Sequence, residues 1–203
     1  MRLFVLLASA AALIAASPSG SFGQGDLSLK PASPPPAPQR DAGRRATLDD
    51  LFNRLAVAKD EAEAKGIANL IERRWMRSGS DTADLLLTRA SDAIHAKVFP
   101  LAIELLDRVI ALQPDWAEAW NRRATAFFLL DDTASAMADL RQVLTREPRH
   151  FGAWAGLGHI YNASGDKGRA LEAYRKALAI NPHMESLRDL VGRLGPEIDG
   201  RDI

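Results

Sequence analysis

Residues 151–184 read FGAWAGLGHIYNASGDKGRALEAYRKALAINPHM, and they decide the fold because the two preceding stretches repeat their pattern. Prolines recur at a fixed interval of 34 residues, at Pro114, Pro148 and Pro182. A fixed period of this length is the sequence signature of an architecture of stacked repeats. Alignment on the prolines defines three consecutive segments, 83–116, 117–150 and 151–184.

Corresponding positions of the three segments carry the same kinds of side chain. Each segment predicts two antiparallel helices, with large residues at its fourth, eleventh and twenty-fourth positions filling the space between them. Small residues at the eighth and twentieth positions predict the points where the two backbones come closest. No such helix pair buries its apolar face alone, so neighbouring pairs must stack. The eighth and twenty-fourth positions hold the pairs Ala90 and Leu106, Ala124 and Leu140, and Gly158 and Tyr174.

These residues resemble the tetratricopeptide repeat (TPR) family. The first two segments depart from the family pattern at the seventh position, where Arg89 and Arg123 replace an apolar residue. The resemblance implies an all-α fold, a right-handed superhelix (α-solenoid) of antiparallel helix pairs. It also implies a role in protein–protein interaction. The third segment carries the whole motif, Trp154-x2-Leu157-Gly158-x2-Tyr161, then Ala170-x3-Tyr174 and Pro182.

The segments that flank the repeats predict further helices. Residues 48–82 show helical apolar spacing and predict a degenerate N-terminal hairpin, which we expect to cap the first repeat. Residues 185–203 predict a C-terminal capping helix and a tail. We expect that helix to stop at Gly195-Pro196, because glycine and proline commonly end helices.

The N-terminus has the layout of a secretory signal peptide, which we assign to residues 1–23. Its apolar run, residues 3–16, reaches about 21 Å as a helix, whereas the hydrocarbon core of a bilayer is about 30 Å thick. We therefore expect export to the periplasm and no stable membrane span after cleavage. Anchoring by an uncleaved N-terminal segment is the alternative. Residues 24–47 are rich in proline and predict a disordered linker.

In the TPR family, the first helix of each pair lines a groove that binds an extended peptide or a partner's helix. The resemblance implies an apolar strip bordered by amides, which suits a ligand with hydrophobic anchors. The strip is alternatively filled by the protein's own tail or by a second copy. The partner-binding residues implied in this way are Leu87, Ser91, Ile94, His95, Asn121, Arg122, Thr125, Phe128, Leu129, Ala155, His159 and Asn162.

One binding mode of the family is disfavoured by the residues present. Co-chaperone members hold a C-terminal carboxylate with basic residues and asparagines on the groove face. The corresponding positions here cannot form that clamp, so we expect no recognition of a heat-shock chaperone's tail. They are Leu87, Ser91, Arg122, Gly152 and Gly156.

The composition argues against several other functions. Lys+Arg and Asp+Glu both number 26, so nothing in the net charge favours nucleic acid. The chain has no cysteine, which excludes thiolate metal sites and thiol nucleophiles. Its four histidines are not arranged as a zinc ligand set, and no nucleophile elbow is present. We therefore expect no cofactor, no metal and no catalysis.

The expected function is that of a non-catalytic adaptor for a protein or peptide of the cell envelope. Two alternatives stay open. One is a self-associating structural scaffold, which is a homo-oligomer. The other is an accessory subunit of an envelope enzyme complex.

Overall fold

The computed structural model describes residues 40–200, with side chains from residue 48 onward. All secondary structure in this part of the chain is helical, as expected. None of its helices is both long and apolar enough to cross a membrane. The predicted signal peptide and residues 24–39 of the predicted linker lie outside the described residues. The helices are α1 (Arg40–Ala56), α2 (Glu61–Trp75), α3 (Asp81–His95), α4 (Phe99–Leu112), α5 (Ala117–Leu129), α6 (Thr133–Arg146), α7 (Phe151–Ala163), α8 (Lys167–Ile180) and α9 (Glu185–Asp199).

Helices α3 to α8 form three antiparallel pairs, one for each predicted repeat, and each pair packs on the next. The turn inside each pair contains one residue with left-handed backbone, Lys97 (φ 60°), Asp131 (φ 64°) and Gly165 (φ 82°). These three residues are also 34 positions apart, so the repeat fixes the turn geometry as well as the packing. Only glycine adopts this conformation without a steric cost. Side chains that cap helix N-termini belong to Asp60, Ser80, Asp132, His150 and Asp166.

The third repeat shows why small and large residues alternate between its helices. Tyr174 is fully buried against Gly158. A Cβ atom on Gly158 would overlap Tyr174 Cδ1 and Cε1 and would lie 3.1 Å from Cζ. This confirms the roles assigned to the eighth and twenty-fourth positions.

Arg123, which departs from the family pattern, joins three helices. Its guanidinium donates two hydrogen bonds of 2.8 Å to the buried carboxylate of Asp139 on α6 and one of 2.6 Å to Asp107 on α4. It also lies over the Trp120 ring, 4.9 Å from its centroid. Charged hydrogen bonds of this kind raise the pKa of the Arg123 guanidinium. The arginine therefore takes over the packing role of the usual apolar residue.

The N-terminal hairpin forms as predicted, but it does not act only as a cap on the first repeat. The apolar faces of α1 and α2 form one core cluster with Phe151, and Ile180 and Met184 pack against it. These three residues belong to the third repeat segment, and α1 contacts α8 directly. The expectation of a simple cap is therefore wrong. The hairpin instead buries its apolar faces against Phe151, Ile180 and Met184 of the third repeat segment.

Aromatic and charged contacts fix the hairpin in this position. The Trp75 ring stacks on His150 at a centroid distance of 4.1 Å, and its carbonyl accepts a 2.6 Å hydrogen bond from Trp116 Nε1. Arg149 lies 4.2 Å from the centroid of the Phe52 ring. The indole Nε1 of Trp75 is buried without a hydrogen-bond partner among the described residues. The contact therefore combines ring stacking, a cation–π contact and one hydrogen bond, and it leaves one buried donor unpaired.

Two predicted boundaries are wrong. Residues 40–47, assigned to the linker, are helical, since the last proline of that stretch is Pro38. Helix α9 continues through Gly195-Pro196, where a stop was expected, to Asp199. The extension is held by a 2.7 Å ion pair of Glu197 with Lys167 and by Ile198, which packs against the core cluster around α8. These contacts offset the backbone hydrogen bond that proline cannot donate.

Candidate functional site

A groove lies between helices α5 and α7 and encloses a cavity of about 150 Å³. Three residues of α5 line one wall at the spacing of a single helix face, Asn121, Thr125 and Phe128. Three residues of α7 line the other wall at the same spacing, Gly152, Gly156 and His159. We call this surface the α5–α7 groove. Its remaining lining residues are Ala124, Leu140 and Ile160.

The α7 wall of the groove is largely bare backbone. A Cβ atom on Gly156 would lie 3.2 Å from Leu140 Cδ1, which is tight. A Cβ atom on Gly152 would lie 3.4 Å from His150 Cε1. Glycine at both positions lets a ligand approach the helix closely. The exposed Phe128 ring on the opposite wall supplies apolar contact, so the groove is mainly an apolar slot.

His159 is the titratable group among the lining residues of the α5–α7 groove. Its Nδ1 atom shares a 3.0 Å hydrogen bond with the hydroxyl of Tyr174, and the two rings meet edge to face at 5.3 Å. Burial lowers the pKa of His159 and raises the pKa of Tyr174. Both groups are therefore neutral at pH 7. The second ring nitrogen of His159, Nε2, is left to bind a polar group of a ligand.

A buried polar cluster closes the end of the groove nearest the N-terminal hairpin. Glu118 accepts hydrogen bonds of 2.6 Å from Arg122 Nε and 3.2 Å from Asn121 Nδ2, and it lies 3.3 Å from His150 Nε2. His150 Nδ1 accepts the Ala153 N–H at 3.0 Å, so its ring proton sits on Nε2 and points at Glu118. His150 is therefore the N-cap residue of α7.

Opposing effects act on the pKa of the Glu118 carboxyl. Burial alone raises it, whereas the hydrogen bond from His150 and the charge of Arg122 lower it, and the net result is a pKa below the ordinary value. The neighbouring Glu72 has a raised pKa because of burial and the charge of Glu118. The cluster therefore holds one ionised carboxylate firmly. It is a structural junction between the hairpin and two repeats.

The structure brings four of the twelve predicted partner-binding residues together in the α5–α7 groove, Asn121, Thr125, Phe128 and His159. The other eight do not line it. Arg122 is held by Glu118, and Ser91 donates a 2.9 Å hydrogen bond to the Leu87 carbonyl. Residues that lie outside the groove lining are Leu87, Ser91, Ile94, His95, Arg122, Leu129, Ala155 and Asn162.

For two of these residues the predicted groove position is wrong, because their side chains are buried in the core. Leu87 is 1% exposed and packs between α3 and α4. Ala155 is 7% exposed and packs with residues of α8 and α9. The prediction missed Leu140, which reaches the groove from α6, because it assigned the lining to the first helix of each pair alone. Its large side chain opposite small residues at Ala124 and Gly156 was the available signal.

Comparison with known proteins identifies the family. Two tetratricopeptide repeat models match residues 87–143 and 152–184. A TPR repeat-containing protein of Rhizobium etli is 40% identical over 164 residues, which is 80% of this chain and 80% of that protein. The chain belongs to the tetratricopeptide repeat family. TPR domains are protein–protein interaction modules.

More distant matches agree on the fold. A small glutamine-rich TPR protein of Mycosarcoma maydis is 32% identical over 106 residues, 52% of this chain and 30% of that protein. The Sgt2 TPR domain from Aspergillus fumigatus superposes with a TM-score of 0.55 at 20% identity, over 61% of this chain and 83% of that one. The first TPR of Spaghetti (RPAP3), solved with an HSP90 peptide, gives 0.52 at 20% identity, over 57% and 95%. Among the described residues, no three histidine, aspartate or glutamate side chains are grouped as a metal site.

Proposed function

We propose that this TPR protein is a non-catalytic adaptor that binds a peptide or a helix of a cell-envelope protein in the α5–α7 groove. The observation that carries the proposal is the apolar slot itself, with Phe128 on one wall and bare backbone on the other. Asn121 and His159 lie on the walls of the slot, where they can bind the backbone of the same ligand.

The same residues argue against a chaperone tail as the ligand. A carboxylate clamp needs several free cations or amides, whereas the clamp positions include the buried Leu87 and two glycines. The single cation among them, Arg122, is already bound to Glu118. The similarity to the HSP90 complex is a similarity of fold.

Export to the periplasm is part of the proposal and rests on the residues of the predicted signal peptide, 1–23. Its test is mass spectrometry of the N-terminus of the protein isolated from bacterial cells. We expect a chain that begins near Gln24. An intact N-terminus would favour the membrane-anchored alternative.

Site-specific crosslinking tests the groove. A photo-crosslinking amino acid replaces Thr125 in the groove or, as control, Thr145 on α6. The two threonines match, because both are exposed and each hydroxyl donates to the carbonyl four residues earlier, at 3.0 and 2.9 Å. We expect a partner adduct from position 125 only. This adduct should be lost in the Phe128→Glu background.

Equal adducts at both positions would rule out the groove as the binding surface. An adduct with a second copy of the chain would favour the scaffold alternative. An adduct with a subunit of an enzyme complex would favour the accessory role. The helical signal in circular dichroism should be unchanged by Phe128→Glu, because the side chain is 42% exposed.

A further inference from the structure

The solenoid end at the first repeat is uncovered. Leu85 of α3 is 53% exposed, whereas the corresponding Ala119 and Ala153 are fully buried under the preceding repeat. Asp92 is likewise exposed, whereas the corresponding Ala126 is fully buried. The repeat therefore presents to solvent the surface that the other repeats use for stacking.

This end carries large apolar residues that later repeats lack. Leu101 on α4 is 46% exposed, and its counterparts are Ser135 and Arg169. In the third repeat, Arg169 lines one depression together with Leu157, the counterpart of Arg89. By the same register, we expect Leu101 on the same side of the first repeat as Arg89. We define the end face as Leu85, Arg89, Asp92 and Leu101.

Arg89 lacks the partners that its counterpart has. Arg123 is held by Asp107 of the preceding repeat and by Asp139 of its own. Leu105 stands at the position of Asp139 in the first repeat, and the hairpin that precedes Arg89 in the sequence buries its apolar faces against Phe151 of the third repeat segment. Neither Arg89 nor Asp92 makes an ion pair with any described residue. The end face therefore holds an unpaired cation and an unpaired carboxylate, three residues apart on one helix.

The protein's own hairpin does not fit the end face. Arg73 of α2 lies 34 residues before Asp107 and so corresponds to it in the repeat. Stacking of the hairpin on the end face would therefore set Arg73 against Arg89. Like charges placed directly together cost free energy. The apolar faces of the hairpin are already packed on Phe151.

We propose that the end face binds the end face of a second copy of the chain, in a two-fold symmetric dimer. Antiparallel pairing of α3 with its copy sets Arg89 opposite Asp92 of the second molecule and, by symmetry, Asp92 opposite Arg89. The two pairs are equivalent, as a closed interface requires. Leu85 and Leu101 of both copies then lose their contact with water.

The opposite end of the solenoid does not offer a competing surface. Helix α9 uses its apolar side to cover α8 and exposes Ser186, Asp189, Gly192 and Arg193. Head-to-tail stacking would set Leu85 and Leu101 against this polar surface. Pairing of the two apolar ends avoids that cost. The dimer leaves the α5–α7 groove uninvolved, so this proposal stands or falls separately from the adaptor role.

Charge reversal tests the dimer. The protein isolated after expression of the full-length sequence is measured by light scattering over a range of concentrations. We expect a dimer for the wild type, and at least about a tenfold rise in the dissociation constant for Arg89→Asp and for Asp92→Arg, because each creates two like-charge pairs. An equimolar mixture of the two variants should form a heterodimer, since both pairs are then attractive. The double variant should dimerise like the wild type.

Each other outcome overturns the proposal. A wild type that stays monomeric up to about 100 µM would show that no such interface of ordinary strength exists. A dimer that is unaffected by both reversals, or one that the control Asp189→Arg weakens equally, would use a different surface. Failure of the mixture to recover the dimer would show that Arg89 and Asp92 do not face each other. Circular dichroism checks that the exposed substitutions leave the fold intact. Leu101→Glu is a second test, because it places a charge on the apolar part of the end face and should also weaken the dimer.

Discussion

The first and third repeats share one spacing and one hairpin geometry, yet their neighbours differ. The third repeat is covered by α9, by α6 and by the N-terminal hairpin, and Leu157 at its seventh position is buried in the core cluster that includes α6. The first repeat has a neighbour on one side only, and Arg89 at its seventh position faces solvent. The comparison teaches that a repeat position has no fixed burial. Its exposure depends on the layer that lies against it.

The largest expected effect concerns the contact of the hairpin with the third repeat. Trp75→Ala removes the stack on His150 and the contacts with Phe52 and Phe151, and we expect a loss of about 3–5 kcal/mol in unfolding free energy. Chemical denaturation measures it. Hydrogen exchange should then rise at the start of α7 more than in α3. Equal rises in both helices would mean that the hairpin does not brace the third repeat.

Trp75→Phe is the matched control for this substitution. It keeps an aromatic ring on His150 and removes the buried indole N–H, which has no partner among the described residues. An unpaired buried donor carries a desolvation cost of about 1–3 kcal/mol, so its removal offsets part of the lost contact area. We expect the phenylalanine variant to be much closer to the wild type than Trp75→Ala.

The second prediction compares the arginines at the seventh position of the second and first repeats, Arg123 and Arg89. Arg123→Ala leaves the carboxylate of Asp139 buried without its cation and should cost about 3 kcal/mol. Arg89→Ala removes an exposed side chain and should change the stability of the monomer by about 0.5 kcal/mol or less, measured on denaturation curves at a chain concentration too low for dimerisation. Similar losses in both variants would mean that the preceding layer does not determine what the arginine contributes.

The sequence was sufficient for features that depend on neighbours along the chain. The helix pairs and the small residue opposite Tyr174 are encoded within one repeat, and the 34-residue period follows from three consecutive repeats. The place of the hairpin was not predictable in this way. It depends on Trp75 meeting His150, which lies far along the chain, and periodicity does not specify which surface receives an amphipathic hairpin. The continuation of α9 through Pro196 depends in the same way on Lys167, a contact between distant residues.

The structure places only some of the predicted groove residues along the α5–α7 groove, and one physical reason explains both outcomes. Family positions identify the side of a helix, which was enough for Asn121, Thr125, Phe128 and His159. They do not show how closely the next helix packs. Leu87 and Ala155 are therefore core residues, although they share the groove register of α3 and α7.

The third prediction replaces the glycine–tyrosine pair of the third repeat by the alanine–leucine pair of the first two repeats. Gly158→Ala places a methyl group against the Tyr174 ring and should cost about 1–3 kcal/mol. Adding Tyr174→Leu recreates the alanine–leucine pair of the first two repeats and should recover much of the loss, seen as a favourable coupling in a double-mutant cycle of melting curves. Gly66→Ala is the control, because no atom lies within 4 Å of its added Cβ.

That control should stabilise α2 by about 0.5–1 kcal/mol, the usual difference between glycine and alanine inside a helix. A loss at Gly66 equal to the loss at Gly158 would show that an added methyl group destabilises either helix, and that the Tyr174 ring does not explain the result. Independent effects of Gly158→Ala and Tyr174→Leu would contradict the register in which the eighth and twenty-fourth positions touch.

The smallest expected effect is a change in pH dependence. Because the pKa of Glu118 is lowered in the folded chain, its ionisation stabilises the fold above the unfolded value near 4.3, and this contribution is lost as the pH falls through the folded pKa. Glu118→Gln should cost about 1.5 kcal/mol at pH 7, since Arg122 loses its charged acceptor. It should also flatten the fall in stability between about pH 5 and 3.

The pKa of the neighbouring Glu72 is shifted in the opposite direction, so its substitution should have the opposite effect on stability. Its pKa is raised by burial and by the charge of Glu118, so its ionisation opposes folding, and Glu72→Gln should stabilise the protein at pH 7. The unfolding free energy of this variant should then fall more steeply as the pH decreases. In the wild type, protonation of Glu72 compensates part of that fall, and the variant lacks this group. Denaturation curves at pH 3, 5 and 7 separate the two variants. Identical pH profiles would mean that the hairpin does not bring Glu72 into the field of Glu118.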